Sequence, residues 1–131
     1  MPRILDTTLL IDYANGRPGA GETLERLFEE ADDLLVCDAV VAEALSRGTD
    51  AERRAISTLI DAVEYVATDP AAARWAGEAR RRRQATGPRS LGDALIAGVA
   101  WSCGATVVTR NPDDFVRMGV PVLAYEADAP A

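Results

Sequence analysis

Arg3-Ile4-Leu5-Asp6-Thr7-Thr8 is the stretch on which the reading of the chain turns, an apolar strand start that ends on a carboxylate and two hydroxyls before a helical pattern begins. In a parallel α/β sheet the C-terminal ends of the strands open onto the crevice where ligands bind, so Asp6 is aimed at a site. The same residues also suit an N-cap for the following helix. What separates the two readings is whether the rest of the chain brings more acids to the same edge.

At 131 residues the chain is long enough for one ordinary core, and one domain over residues 1–131 is expected, with 124–131 as a frayed tail. No apolar run approaches the roughly 20 residues of a membrane span, and no basic segment followed by an apolar signal core opens the chain, so a cytoplasmic protein is expected. The sequence contains no histidine, which removes Ser-His-Asp triads, Cys-His pairs and imidazole ligands. All 14 basic residues are arginine, so lysine-dependent phosphate loops and lysine-dependent receiver domains are excluded as well. A formal net charge of -7 argues against a general nucleic-acid coat protein but leaves room for a local basic patch. Cys37 and Cys103 stand in no metal-ligand spacing and read as free thiols.

Along the chain, Leu9, Leu10 and Tyr13 form the inner face of a first helix ending at Asn15-Gly16. Three glycines and a proline over residues 16–21 read as a loop. Leu24, Leu27, Phe28 and Ala31 then recur at helical spacing, with Glu22, Glu25, Glu29 and Glu30 on the wet side. The continuous apolar run Leu34-Leu35-Val36-Cys37 suits a strand buried on both faces. Asp38 caps a helix running to about Arg47, in which Glu43 is set among Val40, Val41, Ala44 and Leu45. A buried glutamate there requires a cation or a partner, whereas an exposed one requires nothing. Asp50 caps the next helix, Tyr65-Val66 is a short strand, and Asp69-Pro70 is a cap followed by proline at the first helical position. That helix ends in Arg80-Arg81-Arg82-Arg83. The segment from Leu91 to Trp101 is apolar on nearly every side except at Asp93, which stands at capping-box spacing from Ser90 beside a glycine that allows a close approach. Ala105 to Thr109 and Val120 to Ala124 complete the strands. The alternation gives an α/β chain with a mainly parallel central sheet.

Four acids therefore lie at strand ends or helix starts: Asp6, Glu43, Asp93 and Asp114. The runs Leu5-Asp6-Thr7-Thr8, Val41-Ala42-Glu43, Leu91-Gly92-Asp93-Ala94-Leu95-Ile96-Ala97 and Thr109-Arg110-Asn111-Pro112-Asp113-Asp114-Phe115 resemble, in order, the four motifs of PIN-domain ribonucleases, and the chain is similar in length to the VapC toxins of bacterial toxin-antitoxin pairs. The resemblance runs from residue 3 to about 124. It implies a three-layer α/β/α sandwich, PIN-like, whose acidic pocket holds Mg²⁺ or Mn²⁺ and cleaves RNA to a 5′-phosphate and a 3′-hydroxyl. Asp6, Glu43, Asp93 and Asp114 would be the catalytic and metal-binding residues, supported by Thr7, Thr8, Asn111 and Asp113, with Asp113 an alternative fourth acid. It further implies a cognate antitoxin as partner, in a homodimer and a toxin-antitoxin hetero-oligomer.

Elementary electrostatics agrees. At an effective dielectric near 20, each pair of carboxylates about 4 Å apart costs on the order of 4 kcal/mol, which a divalent cation cancels. Oxygen-only ligands suit Mg²⁺ or Mn²⁺ better than zinc. An acidic enzyme that holds RNA must concentrate arginines near the cleft, and Arg80, Arg81, Arg82, Arg83, Arg89 and Arg110 are the candidates by chain connectivity. Two rival readings are a PIN scaffold that acts only by binding and another metal-dependent phosphoesterase on a similar fold.

Overall fold

In the computed structural model, which describes residues 1–31, 33–85 and 87–128 and omits the side chains at 88 and 89, the short apolar runs become strands and the amphipathic stretches helices. The order is β1 (Pro2–Leu5), α1 (Thr7–Ala14), α2 (Pro18–Glu30), β2 (Asp33–Cys37), α3 (Asp38–Leu45), α4 (Asp50–Asp61), β3 (Glu64–Val66), α5 (Pro70–Arg82), α6 (Pro88–Cys103), β4 (Thr106–Thr109), α7 (Pro112–Met118) and β5 (Val122–Ala124). The sheet runs β3-β2-β1-β4-β5 and every pairing is parallel. Ile4 pairs with Leu35 on one side and Val107 on the other, so β1 is central.

A parallel sheet is covered on both faces, and right-handed crossovers place α1 to α4 on one side and α5 to α7 on the other. Helix packing follows that division: α1 lies against α2, α3 and α4, and α6 against α5 and α7. The result is a three-layer α/β/α sandwich. Ile4, Leu5, Val36, Val107 and Val108 fill its middle and are inaccessible to solvent. Burying each such side chain contributes about 1.5–3 kcal/mol. Buried alanines at 72, 76 and 79 let α5 lie close on α6, and Trp75 stacks on Trp101 with ring centroids 5.9 Å apart at one end of that pair. Both cysteines are free thiols, and burial pushes the Cys37 thiol up to about 11.

Several local expectations change. Residues 16–21 are not all loop: Pro18 takes the first position of α2, and Gly19 and Gly21 are helical. Tyr13 and Phe28 point outward, and the residue drawn inward on α1 is Asp12. Helical periodicity places a face but not the polar residue that a distant partner pulls inside. Asp38 is the first residue of α3 rather than its cap, its carboxylate accepting from the Thr68 N–H and hydroxyl. Thr49, not Asp50, caps α4, through a reciprocal capping box with Glu52.

The tail is also better fixed than its composition suggests. Tyr125 and Ala127 are buried, Arg17 holds the Asp128 carboxylate through two hydrogen bonds, and the Gly19 N–H donates to the Ala127 carbonyl at 2.6 Å. Fraying from residue 124 is thus corrected as far as 128; positions 129–131 lie outside the described residues. Glycine at 19 is required because a Cβ there would lie 1.8 Å from the Glu126 carbonyl oxygen. Replacing Gly19 with valine should therefore displace the tail and lower stability by about 1–3 kcal/mol, read as a shift in the urea midpoint. A midpoint equal to the parent's would mean that the tail does not clasp α2.

Candidate functional site

The connection after β1 turns toward β2, whereas β4 lies on the other side of β1, so the strand order reverses between β1 and β4. At such a switch point the loops leave in opposite directions and open a crevice at the carboxyl ends of the strands. Asp6 follows the last residue of β1 and Thr109 is the last residue of β4, and the two close the floor of that crevice with a Thr109 Oγ1 to Asp6 Oδ2 hydrogen bond of 2.7 Å. Thr8 Oγ1 donates to the same Asp6 oxygen at 2.9 Å, and the Thr7 N–H to Oδ1 at 2.8 Å. Asp6 is thus both the N-cap of α1 by position and a carboxylate built into the crevice. The hydroxyls are themselves fixed, since Thr109 accepts from the Asn111 N–H and Thr8 from the Arg110 N–H.

Asp6 is 4% exposed, and no cation lies within ion-pair distance of it among the described residues. Burial holds its carboxyl above the ordinary aspartate value, and the hydrogen bonds from Thr109, Thr8 and the backbone offset only part of that effect. Asp12, six residues on, is the internal comparison. It is 1% exposed, yet Arg17 Nη1 and Arg110 Nε each lie 3.3 Å from it and the Tyr125 hydroxyl donates to it at 2.8 Å. Among the described residues one buried aspartate is compensated by two guanidiniums and the other by none, although a buried charge is costly unless it is paired or binds a metal.

The other acids approach from α3, α6 and α7. Glu43 accepts from the Thr7 hydroxyl at 3.3 Å, and its carboxylate presses on the backbone of α6, where a Cβ at position 92 would lie 2.7 Å from Glu43 Oε1. This is the close approach that the glycine beside Asp93 permits. Asp93 does not form the capping box its spacing suggests: α6 begins at Pro88 with Gly87 as N-cap, and the Ser90 hydroxyl donates to the Gly87 carbonyl. Asp93 instead lines a cleft of about 250 Å³ together with Asp114, Arg80 and Arg83. Asp114 Oδ1 accepts from Arg83 at 3.0 Å, whereas Asp113 is exposed on the first turn of α7 and Asn111 is exposed at its N-cap. The carboxylate donor set is all hard oxygen and suits an oxygen-preferring divalent cation. As the side chains stand, no three acids among the described residues surround one common point.

The expected arginines divide. Arg80 binds Ser90 and the Gly87 carbonyl, and Arg81 pairs with Glu78 on its own helix. Arg110, expected on an RNA track, is turned to Asp12, its Nε 3.3 Å from that carboxylate while the side chain stays partly exposed. The Arg89 side chain lies outside the described residues. Thr109, Asp12, Tyr125 and Arg117 were not singled out from the sequence. Only Thr109 carried a signal, as a hydroxyl ending a buried strand opposite Asp6.

Comparison with known proteins places these features in context. A family model described as PIN domain matches residues 3–121. The chain is 27% identical over 115 residues to Ribonuclease VapC19 of Mycobacterium tuberculosis, covering 86% of this chain and 91% of that one. It is 32% identical over 117 residues to Ribonuclease VapC11 of the same organism, covering 84% and 87%. Among solved structures it superposes on VapBC2 from Rickettsia felis bound to a promoter DNA fragment with TM-score 0.79 at 20% identity, over 96% of this chain and all of that one. For DNA-bound VapBC from Salmonella typhimurium the TM-score is 0.75 at 25% identity, over 95% and 98%.

Two outcomes follow from the buried carboxylate. Thr109→Val removes a donor to Asp6 and orphans the Asn111 N–H, so it should cost about 1–3 kcal/mol, while Thr109→Ser should retain most of the stability in the same denaturation assay. The second concerns pH. Because the folded carboxyl of Asp6 is raised, the native state binds its proton more readily than the unfolded chain does, and metal-free stability from this group declines as pH rises from the ordinary 3.8 through the raised value. The melting temperature of Asp6→Asn minus that of the parent should therefore increase between pH 4 and pH 7; a difference independent of pH would contradict the assignment.

Proposed function

The chain belongs to the PIN-domain family, and from that premise we propose that it is a VapC-type endoribonuclease toxin, dependent on Mg²⁺ or Mn²⁺ and silenced by a cognate antitoxin. The observation that carries this reading is the Asp6 carboxylate, buried at the switch point with no cation within ion-pair distance among the described residues, while two arginines meet the nearby Asp12. Asp6 and Asp93 would be the principal ligands of the ion, with Glu43 and Asp114 completing the set. A bound divalent ion would cancel the mutual repulsion of the carboxylates and supply Lewis acidity toward the scissile phosphate.

The chain's own groups have separable tasks. Thr8 and Thr109 lock Asp6 so that it does not reorient when charge is brought near, which is the preorganisation an electrostatic site needs. Thr7 and the bare backbone at Gly92 fix the Glu43 carboxylate between α1 and α6. Arg83 holds Oδ1 of Asp114 and leaves Oδ2 uncommitted among the described residues, able to accept a proton from an attacking water. Asn111 and Asp113, at the exposed start of α7, would act on the loop rather than on the reacting atoms.

RNA is the substrate this reading favours, presented as a single strand or loop whose backbone can enter a narrow cleft. For the antitoxin, the groove between α1, α3 and α4 offers an apolar lining of Ile11, Ala14, Ala44 and Ile56, of a size to receive side chains of a partner helix. A homodimer within a toxin-antitoxin hetero-oligomer, working in the cytoplasm, is the assembly that accompanies the proposal. No helix among the described residues is long and apolar enough to cross a membrane.

Purified chain freed of antitoxin should fragment total RNA with Mg²⁺ or Mn²⁺ and stop in EDTA. Asp6→Asn and Asp93→Asn should each lower the rate about a hundredfold or more with the fold intact. Gly92→Ala should also slow cleavage, by displacing the Glu43 carboxylate. Undiminished cleavage in EDTA, or parent rates in either Asn variant, would refute this mechanism.

A further inference from the structure

Beside the cleft of Asp93 and Asp114 lies a second one of about 280 Å³, lined by Arg82 and Arg83 from the end of α5 and by Arg117, Met118 and Gly119 from the end of α7. The two clefts share Ala79, Arg83 and Met118, so they are adjoining parts of one surface, with Arg83 on the wall between them. Among the described residues no carboxylate lines the second cleft. That is unusual for a chain with 21 acidic residues against 14 arginines. Arg83 reaches back to Asp114, whereas Arg82 and Arg117 make no ion pair within 4 Å among the described residues.

Stabilisation of the two helix C-termini accounts for one arginine at the end of each helix, since the dipole effect fades within the last turn. It does not account for both helices delivering their arginines to the same concavity, where like charges oppose one another unless an anion sits between them. Guanidinium groups suit a phosphate because their planar forks bond its oxygens bidentately. We propose that Arg82, Arg83 and Arg117 form a phosphate-binding subsite for the RNA strand, holding a backbone phosphate next to the one presented to the acids. The proposal rests on the nuclease reading and deepens it. It also replaces the run Arg80 to Arg83 as a uniform track: Arg80 and Arg81 are committed within their own hairpin, and Arg117, 34 positions beyond Arg83, takes their place. Arg83 serves both sides of the surface. Its hold on Asp114 couples occupation of the subsite to the position of that carboxylate.

The test uses the full-length chain with a fluorescein-labelled 12-nucleotide single-stranded RNA in EDTA, so that binding is read by anisotropy without cleavage. The double variant Arg82→Ala/Arg117→Ala should bind at least tenfold more weakly, and the magnitude of its slope of log affinity against log salt should fall by about 1.4, the value for two lost contacts to a single strand. Arg82→Lys/Arg117→Lys should recover most of that slope. Arg54→Ala, on α4 in the opposite helical layer, should change neither quantity. Circular dichroism melts verify that the exposed substitutions leave the fold unaltered. Parent-like affinity and slope in the double variant, an equal loss in Arg54→Ala, or a parent chain that does not bind the oligonucleotide would each overturn the subsite. Its fate is separable from that of the nuclease reading. A parent that binds through these arginines but cuts no RNA with Mg²⁺ would sink the nuclease while keeping the subsite, and a parent that cuts while the double variant binds unchanged would do the reverse.

Discussion

The hydrogen bond from Thr109 to Asp6 is the constraint on which the rest of the carboxyl edge depends. It joins the ends of the two parallel strands between which the strand order reverses, and so sets the floor of the crevice at that switch point. The arrangement is costly for the folded protein by itself, because a carboxylate taken out of water without a cation favours its protonated form. Three hydrogen bonds reduce that cost and at the same time fix both oxygens.

The arrangement around Asp12 clarifies why this cost is a property of the site and not of the fold. Asp12 is at least as deeply buried, and its two arginines, together with the tyrosine hydroxyl, tie α1 to the end of β4 and to the tail. Burial raises the Tyr125 hydroxyl well above its ordinary range, and donation to Asp12 raises it further, so the bond persists as a neutral donor to a charged acceptor. Through Arg17 the same network reaches Asp128, and through the Gly19 amide the tail lies across the start of α2. One face of α1 thus supports the fold at Asp12 while its N-terminus serves the crevice at Asp6.

The arginines obey a similar division. Those tied to carboxylates or carbonyls in their own surroundings stiffen the structure: Arg110 at Asp12, Arg80 at the α5–α6 turn, Arg81 at Glu78. Arg82 and Arg117, delivered by two helix ends to one concavity, make no ion pair within 4 Å among the described residues, and Arg83 between them is shared with Asp114. In a protein of net charge -7 such local concentration is what permits an approach to a polyanion, since the mean field of the whole surface repels it.

By itself the sequence determined the alternation of strands and helices, the parallel character of the sheet, and the elements that carry Asp6, Glu43, Asp93 and Asp114. These are local matters: apolar runs of strand length, helical periodicity, Asp69-Pro70 and Gly104 as start and stop signals, and a glycine at 92 whose missing Cβ leaves room for Glu43. The absence of histidine and lysine confines the chemistry to carboxylates and arginines. Tertiary structure alone decided which polar residues are buried and with whom. Asp12 lies on the same helix as Tyr13 and becomes the inward residue only because Arg17, Arg110 and Tyr125 meet it there. Asp114 rather than Asp113 lines the cleft with Asp93, its carboxylate held there by Arg83, and Arg117 joins Arg82 because two helix ends converge. Each of these partnerships spans a separation in sequence that no periodicity encodes, and its energy comes from desolvation and pairing, which exist only once the layers have closed.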